Sequence, residues 1–324
     1  MPAALCSCTR LRHLELDGHS ETCVLPPQIS SLQHFEVLSI YGNDSTRVPA
    51  ELGALTRLTR LELMGDDDKE DEEEEVPLPF PEELENLTSL RELKLEGHKL
   101  NAVPSFINRL TRLERLSLAC NDRMGEAAAP GFGFAPEFPS MPRLTSLNLS
   151  GCYLTAVPPA VLSQMPALKV LNLSGNDLRI LPNDLFQRLP ELRELDLSET
   201  VFGAFPGALA GGAAAPPPLA LTRLALSGCQ LSSSVEQLRS MPALRSLDLS
   251  RNGLTALPVD LGQRLPQLTE IKLSINSFRA VPLAALSGAT SLEKIELGLR
   301  PFQPDEALEV QLERLLGSCV VCRS

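Results

Sequence analysis

The chain has 324 residues, 43 % of them apolar and 4 % aromatic, with a formal net charge of −12. That apolar content suffices for a long buried core and excludes a disordered polyelectrolyte. Residues 66–75, DDDKEDEEEE, supply −8 of the charge as nine acids against one lysine, so the rest is close to neutral. With no run of lysine or arginine it offers no footprint for phosphate backbones or anionic lipid, which predicts neither a nucleic-acid partner nor a membrane surface.

The start, MPAALCSCTRLRHLEL, has no uninterrupted apolar stretch and carries Arg10 and Arg12 where one would sit, so no secretory signal is read there. No window approaches the roughly 18 apolar residues of a membrane span, and the eight cysteines do not cluster into a disulfide framework. These features place the chain in the cytoplasm with reduced thiols. Residues 1–10 read as a short flank that supplies no cap.

From Leu11 a unit of form LxxLxLxxN recurs twelve times, starting at Leu11, Phe35, Leu58, Leu90, Leu113, Leu144, Leu168, Leu192, Leu221, Leu244, Leu268 and Leu292. LKVLNLSGN at 168–176 and LRSLDLSRN at 244–252 are the cleanest copies. Alternation in LxL sends leucines to one face of a short strand and polar residues to the other. One such strand cannot bury its apolar face alone, so the copies must stack as a parallel sheet over a continuous core. The ninth position holds Asn43, Asn121, Asn176, Asn252 and Asn276, whose amides can satisfy backbone groups where the chain turns. Cys152, Thr200 and Cys229 take that place elsewhere and read as structural substitutes. An apolar residue followed by proline comes after the turn, as at Val48-Pro49, Val103-Pro104 and Leu257-Pro258, which predicts proline in the first position of a short helical turn on the outer face.

Repeat spacing is 23 or 24 residues except at three places, which locate insertions near 66–82, 122–141 and 203–219. The second and third, rich in Ala, Gly and Pro, read as flexible loops. In the first, the acids must stay solvated. The repeats run over 11–303. In 304–317, Leu308, Leu312, Leu315 and Leu316 fall on one helical stripe between Asp305 and Gly317, which predicts a capping helix, and 318–324 reads as a tail carrying a lone Cys319-x-x-Cys322.

These repeats resemble the leucine-rich-repeat superfamily, and the LP-containing version is similar to the intracellular Ras-group proteins and related signalling scaffolds. The resemblance covers nearly the whole chain. It implies an α/β solenoid: a horseshoe with a parallel concave β-sheet and short helical turns outside. There is no GxIP as in extracellular plant receptors, and no catalytic domain follows as in bacterial ubiquitin-ligase effectors. No HExxH, GxSxG or GxxxxGK[ST] occurs and the four histidines do not assemble a site, so no enzyme, metal or cofactor is predicted.

Function should therefore lie on the polar face of the sheet, and the partner should be a protein. The third and fifth repeat positions mix acids and bases, with opposite charges adjacent as at Arg60 and Glu62 or Glu92 and Lys94, and read as a solvated sheet with cross-strand pairs. Tyr41, Arg60, Glu62, Met64, Glu92, Lys94 and Arg115 gather in the N-terminal half, and these include residue types that dominate interface hot spots, so that half is the expected binding face. Serine in six successive seventh positions, Ser150 to Ser274, looks like a bare floor. Two alternatives stand beside this scaffold reading. The acidic loop (Asp66, Asp67, Asp68, Glu70, Asp71, Glu72, Glu73, Glu74, Glu75) captures a basic protein, or the chain is the sensor ectodomain of a receptor with a truncated N-terminus.

Overall fold

The computed structural model describes residues 3–17, 25–41, 48–65, 80–124, 140–157, 159–200, 202, 206–210, 218–232, 234–238, 240–279, 282–297 and 320–323. The chain divides into two compact units, Met1–Leu154 with Ser163–Leu168, and Thr155–Leu162 with Lys169–Ser324. Each LxL segment is a strand. In the first unit these are β1 (His13–Asp17), β2 (Val37–Tyr41), β3 (Arg60–Met64), β4 (Glu92–Glu96), β5 (Arg115–Ser117) and β6 (Ser146–Asn148). Consecutive strands pair in parallel with equivalent positions in register, as Arg60 with Glu92 and Glu62 with Lys94. The second unit repeats the arrangement with β7 (Val170–Asn172), β8 (Glu194–Asp196), β9 (Arg223–Ala225), β10 (Ser246–Asp248), β11 (Glu270–Lys272), β12 (Lys294–Leu297) and β13 (Val320–Arg323).

Leucines of the first, fourth and sixth repeat positions form the core; Leu58, Leu61, Leu63, Leu90, Leu93 and Leu95 are completely inaccessible. Each contributes about 1.5–3 kcal/mol by leaving water. β1 is different, because Leu14 and Leu16 stay half-exposed.

In four of the strands the fifth position turns the chain. In β6, β7, β8 and β10 the side-chain oxygens of Asn148, Asn172, Asp196 and Asp248 accept from the N–H two residues on, at 2.9–3.1 Å, which diverts the chain after three strand residues. The eighth residue then turns through positive φ, whether glycine, as at Gly151 and Gly175, or not, as at Glu199, Arg251 and Ile275. Glu15, Ser39, Glu62 and Lys94 hold the fifth position in β1–β4, which run to five residues, whereas β5, β9 and β11 stop after three with Ser117, Ala225 and Lys272 there. The first unit therefore carries the broader polar face. At its far end two chains pass so closely that a Cβ on Gly65 would fall on the Gly97 carbonyl oxygen.

On the opposite side Pro49, Pro81 and Pro104 lead into single 3-10 turns, Ala50–Ala54, Glu82–Asn86 and Ser105–Arg109. Each proline is the N-cap, extended at ψ 136–149, and not the first helical residue as predicted. Its carbonyl accepts the first turn's hydrogen bond, as Leu52 N–H to Pro49 at 3.0 Å. In the second unit short α-turns replace these: α1 (Pro159–Leu162), α2 (Leu185–Arg188), α3 (Leu261–Arg264) and α4 (Leu283–Leu286).

Several expectations need correction. Within the 1–10 flank, Ala3–Ser7 forms a 3-10 turn that buries Cys6, whose carbonyl accepts the Ser31 hydroxyl at 2.7 Å, so these residues form the outer turn of the first repeat. Parts of the second and third insertions belong to the core, because Met124, Ala208 and Leu209 are fully buried and Ala210 bridges Leu238. Four residues of the presumed tail form β13, because the free edge of β12 offers backbone partners that Val320–Arg323 can reach. Asn43, the acidic run and the expected capping helix at 304–317 lie outside the described residues.

Candidate functional site

β2–β5 bring six of the seven residues expected on the polar face into two adjacent clusters, one on Glu62 and one on Glu92. Glu62 is 4 % exposed and its carboxylate is shared three ways. Lys94 Nζ lies 2.9 Å from Oε1, while the Tyr41 and Ser39 hydroxyls donate to Oε2 at 2.8 and 2.9 Å. Glu92, one strand over and 7 % exposed, accepts at Oε2 from Arg60 (2.8 Å) and Arg115 (2.7 Å). These pairs run across strands, Arg60 with Glu92 and Lys94 with Glu62. Pairing across strands is as expected, because side chains directly opposite in a ladder lie closest, but the two carboxylates are buried and not solvated. Met64 completes the group as a half-buried side chain at the end of β3, in register with Glu96.

The electrostatics follow from burial and pairing. Desolvation alone would raise both carboxyls. Hydrogen bonds from Lys94, Tyr41 and Ser39 outweigh it at Glu62, and Arg115 with Arg60 outweighs it at Glu92, so both sit below the usual carboxylate range. Lys94 is itself pushed down by burial and, more strongly in sum, up by Glu62. The hydrogen bond to Glu62 raises the Tyr41 phenol. Negative charge is thus held at the floor, and the cationic ends of Arg60 and Arg115, nearly half exposed, face solvent. Sequence reasoning missed Ser39, though its fifth-position place beside Glu62 was a usable signal. The second unit has a thinner version, in which Lys294 reaches Glu270 at 2.7 Å and Ser246 bonds the same carboxylate.

The described ninth-position asparagines, Asn121, Asn176, Asn252 and Asn276, are structural, as expected. Asn121 is fully buried, donates to the Leu95 and Leu118 carbonyls at 2.8 Å and accepts from the His98 and Leu100 N–H groups at 3.0 Å. Cys152 and Cys229 imitate half of this with a thiol donating to Leu118 and Leu197 carbonyls. Burial pushes the Cys229 thiol up to about 11. On treatment of the native chain with iodoacetamide near pH 8, exposed Cys8 should alkylate first and Cys229 last among the described cysteines, read by peptide mass spectrometry; early labelling of Cys229 would contradict a structural role. Thr200 makes a longer contact to the Leu173 carbonyl, at 3.4 Å. His98 is held by the Leu63 carbonyl at 3.0 Å and packs edge-on against Phe80, which also meets Phe106 and so re-anchors the chain after the acidic run.

Among the described residues no three metal-ligating side chains converge, and no helix is long and apolar enough to cross a membrane.

Comparison with known proteins agrees with this geometry. The family described as Leucine rich repeat matches residues 142–202 and 242–298, and the Leucine-rich repeat region matches residues 3–128. No curated protein matches significantly. Among solved structures, a leucine-rich-repeat protein of Leptospira interrogans superposes with TM-score 0.58 at 24 % identity, covering 99 % of this chain and 92 % of that one. An internalin (inlF) of Listeria monocytogenes superposes with TM-score 0.58 at 19 % identity, covering 98 % and 88 %. TLR13, in a complex with the RNA ssRNA13, gives TM-score 0.65 at 22 % identity over 89 % of this chain and 39 % of its own. The repeating strand, turn and asparagine ladder, matched over most of the sequence, make this chain a member of the leucine-rich-repeat family, an architecture of protein–protein interaction.

Proposed function

We propose that the chain is a non-catalytic scaffold or adaptor of the LP-containing Ras-group type in intracellular signalling, and that a protein partner docks on the polar face over β2–β5. The observation that carries this reading is the pair of clusters around Glu62 and Glu92. It fixes Arg60, Lys94, Arg115 and Tyr41 in place before any partner arrives, so little side-chain entropy remains to be lost on docking. Arginine and tyrosine are also the residues on which interface energy concentrates. The described cysteines, Cys6, Cys8, Cys120, Cys152 and Cys229, lie outside any disulfide, which suits a reducing cytoplasm.

The test is affinity capture from cells with wild type against Arg60→Gln/Glu92→Gln/Arg115→Gln, a variant that removes both guanidinium charges together with the buried carboxylate they share. Loss of partners from the variant is the expected result; an unchanged partner set would overturn the assignment of this face. A second reading, capture of a basic protein by Asp66, Asp67, Asp68, Glu70, Asp71, Glu72, Glu73, Glu74 and Glu75, draws on the position of that run. It leaves the chain immediately after Gly65, beside the end of β3. Deleting residues 66–75 while retaining salt-sensitive binding of a basic partner would eliminate it.

A further inference from the structure

Stacking turns scattered arginines into a row that no linear stretch of the sequence displays. In the first unit the residue before each repeat's first leucine is Arg10, His34, Arg57, Ser89, Arg112 or Arg143, and the residue after it is Arg12, Glu36, Thr59, Arg91, Glu114 or Thr145. The second set is a continuous backbone ladder: Glu36 N–H donates to Arg12, Thr59 to Glu36, Arg91 to Thr59, Glu114 to Arg91 and Thr145 to Glu114, each at 2.8 Å. Both rows lie along one rim, where the strands begin. Six arginines face two glutamates there. Arg12 and Arg91 spend their charge on Glu36 and Glu114, whereas exposed Arg10, Arg57, Arg112 and Arg143 have no acidic partner among the described residues, Arg57 donating instead to the His34 ring at 2.9 Å. The absence of an arginine cluster read from the sequence is therefore corrected by the fold. In the second unit the same two rows hold Ala, Gln, Ser and Thr with mixed charges.

We infer that this arginine rim is a binding surface for an acidic polypeptide segment, a Glu- or Asp-rich stretch about seven residues long. Length follows from spacing: six strands at about 4.8 Å extend over about 24 Å, which an extended peptide covers in roughly seven residues. The chemistry follows from residue type. These rows hold arginine and no lysine, and the guanidinium fork matches a carboxylate with two parallel hydrogen bonds. They contain no Phe, Tyr or Trp on which the bases of a single nucleic-acid strand would stack, which favours polypeptide over RNA. The acidic run at 66–75 follows Gly65 in the sequence, at the end of β3 opposite the rim. Four strand steps, about 13 Å, separate Arg60 from Met64, and charges are screened over about 8 Å at physiological ionic strength.

Fluorescence anisotropy of a labelled ten-residue oligoglutamate, titrated with the full chain in low salt and in about 0.15 M salt, tests this. The expected result is binding that weakens with salt and falls roughly tenfold or more in Arg57→Glu/Arg112→Glu/Arg143→Glu, while the charge-matched Arg179→Glu/Arg193→Glu/Arg279→Glu in the second unit changes it by less than about twofold. Unfolding curves of both variants should overlay that of wild type. Equal loss in the two triple variants, no loss in the first, or tighter rim-dependent binding of a labelled single-stranded RNA would each overturn the proposal. Arg60→Gln/Glu92→Gln/Arg115→Gln should leave oligoglutamate binding intact, so failure at the rim and failure at the sheet face are read separately.

Discussion

Replacing Asn121 by alanine is expected to cost about 3–5 kcal/mol, one of the largest effects of any single side chain outside the leucine core. Asn121 has no exposed surface, and five hydrogen bonds converge on its amide. Two of the carbonyls it serves keep another donor, because Cys152 reaches Leu118 and the Gly97 N–H reaches Ala119. The His98 and Leu100 N–H groups and the Leu95 carbonyl lose the bonds the amide made, and each buried group so orphaned costs about 1–3 kcal/mol. Cys152→Ala, in the equivalent position one repeat on, removes one weak thiol donor and a small volume, so about 1 kcal/mol is expected. In a solenoid each repeat leans chiefly on its neighbours, so the damage should be local. Hydrogen exchange in β4 and β5 should accelerate more than in β10 and β11, and chemical denaturation should show an earlier first transition. If Asn121→Ala and Cys152→Ala prove equally mild, the ladder is not what holds these turns.

The leucine register was legible from sequence because it has a fixed period and one physical solution, a parallel ladder over leucines. So was the role of Asn121, Cys152 and Cys229, since the same place in every repeat must close the same turn. What the linear order hid is lateral. Cross-strand pairs follow from the mixed charges, but linear order does not name them: in a strand residues i and i+2 stand about 6.6 Å apart while the next strand is about 4.8 Å away, so Glu92 takes Arg60. For the same reason, Arg10, Arg57, Arg112 and Arg143 look dispersed until the repeats are stacked. Insertions were legible in position but not in packing. Met124 and Leu209 are single apolar residues within low-complexity stretches, too few to carry a period, and the core recruits them nonetheless.

Removing both cations from Glu92 should reverse the pH dependence of stability around it. In the native chain Glu92 titrates below the ordinary glutamate value of about 4.3, so its contribution is stabilising above that value and is lost as pH falls through its folded value. In Arg60→Ala/Arg115→Ala the carboxylate stays buried with neither guanidinium, desolvation alone governs it, and its folded value moves above about 4.3. The destabilisation is then complete above that raised value and disappears as pH falls below the unfolded one. A loss of about 3 kcal/mol near pH 7 is expected, since breaking a buried pair from one side strands a charge. Both arginines are half exposed, so the reverse deletion, Glu92→Gln, should cost much less. Urea midpoints measured from pH 7 to pH 4 should therefore converge for wild type and the double alanine variant as pH falls, whereas adding Glu92→Gln to the double variant should recover most of the loss at pH 7. A constant gap between the two across that range would mean that the arginines act through packing of their stems over the sheet and not through the charge of Glu92.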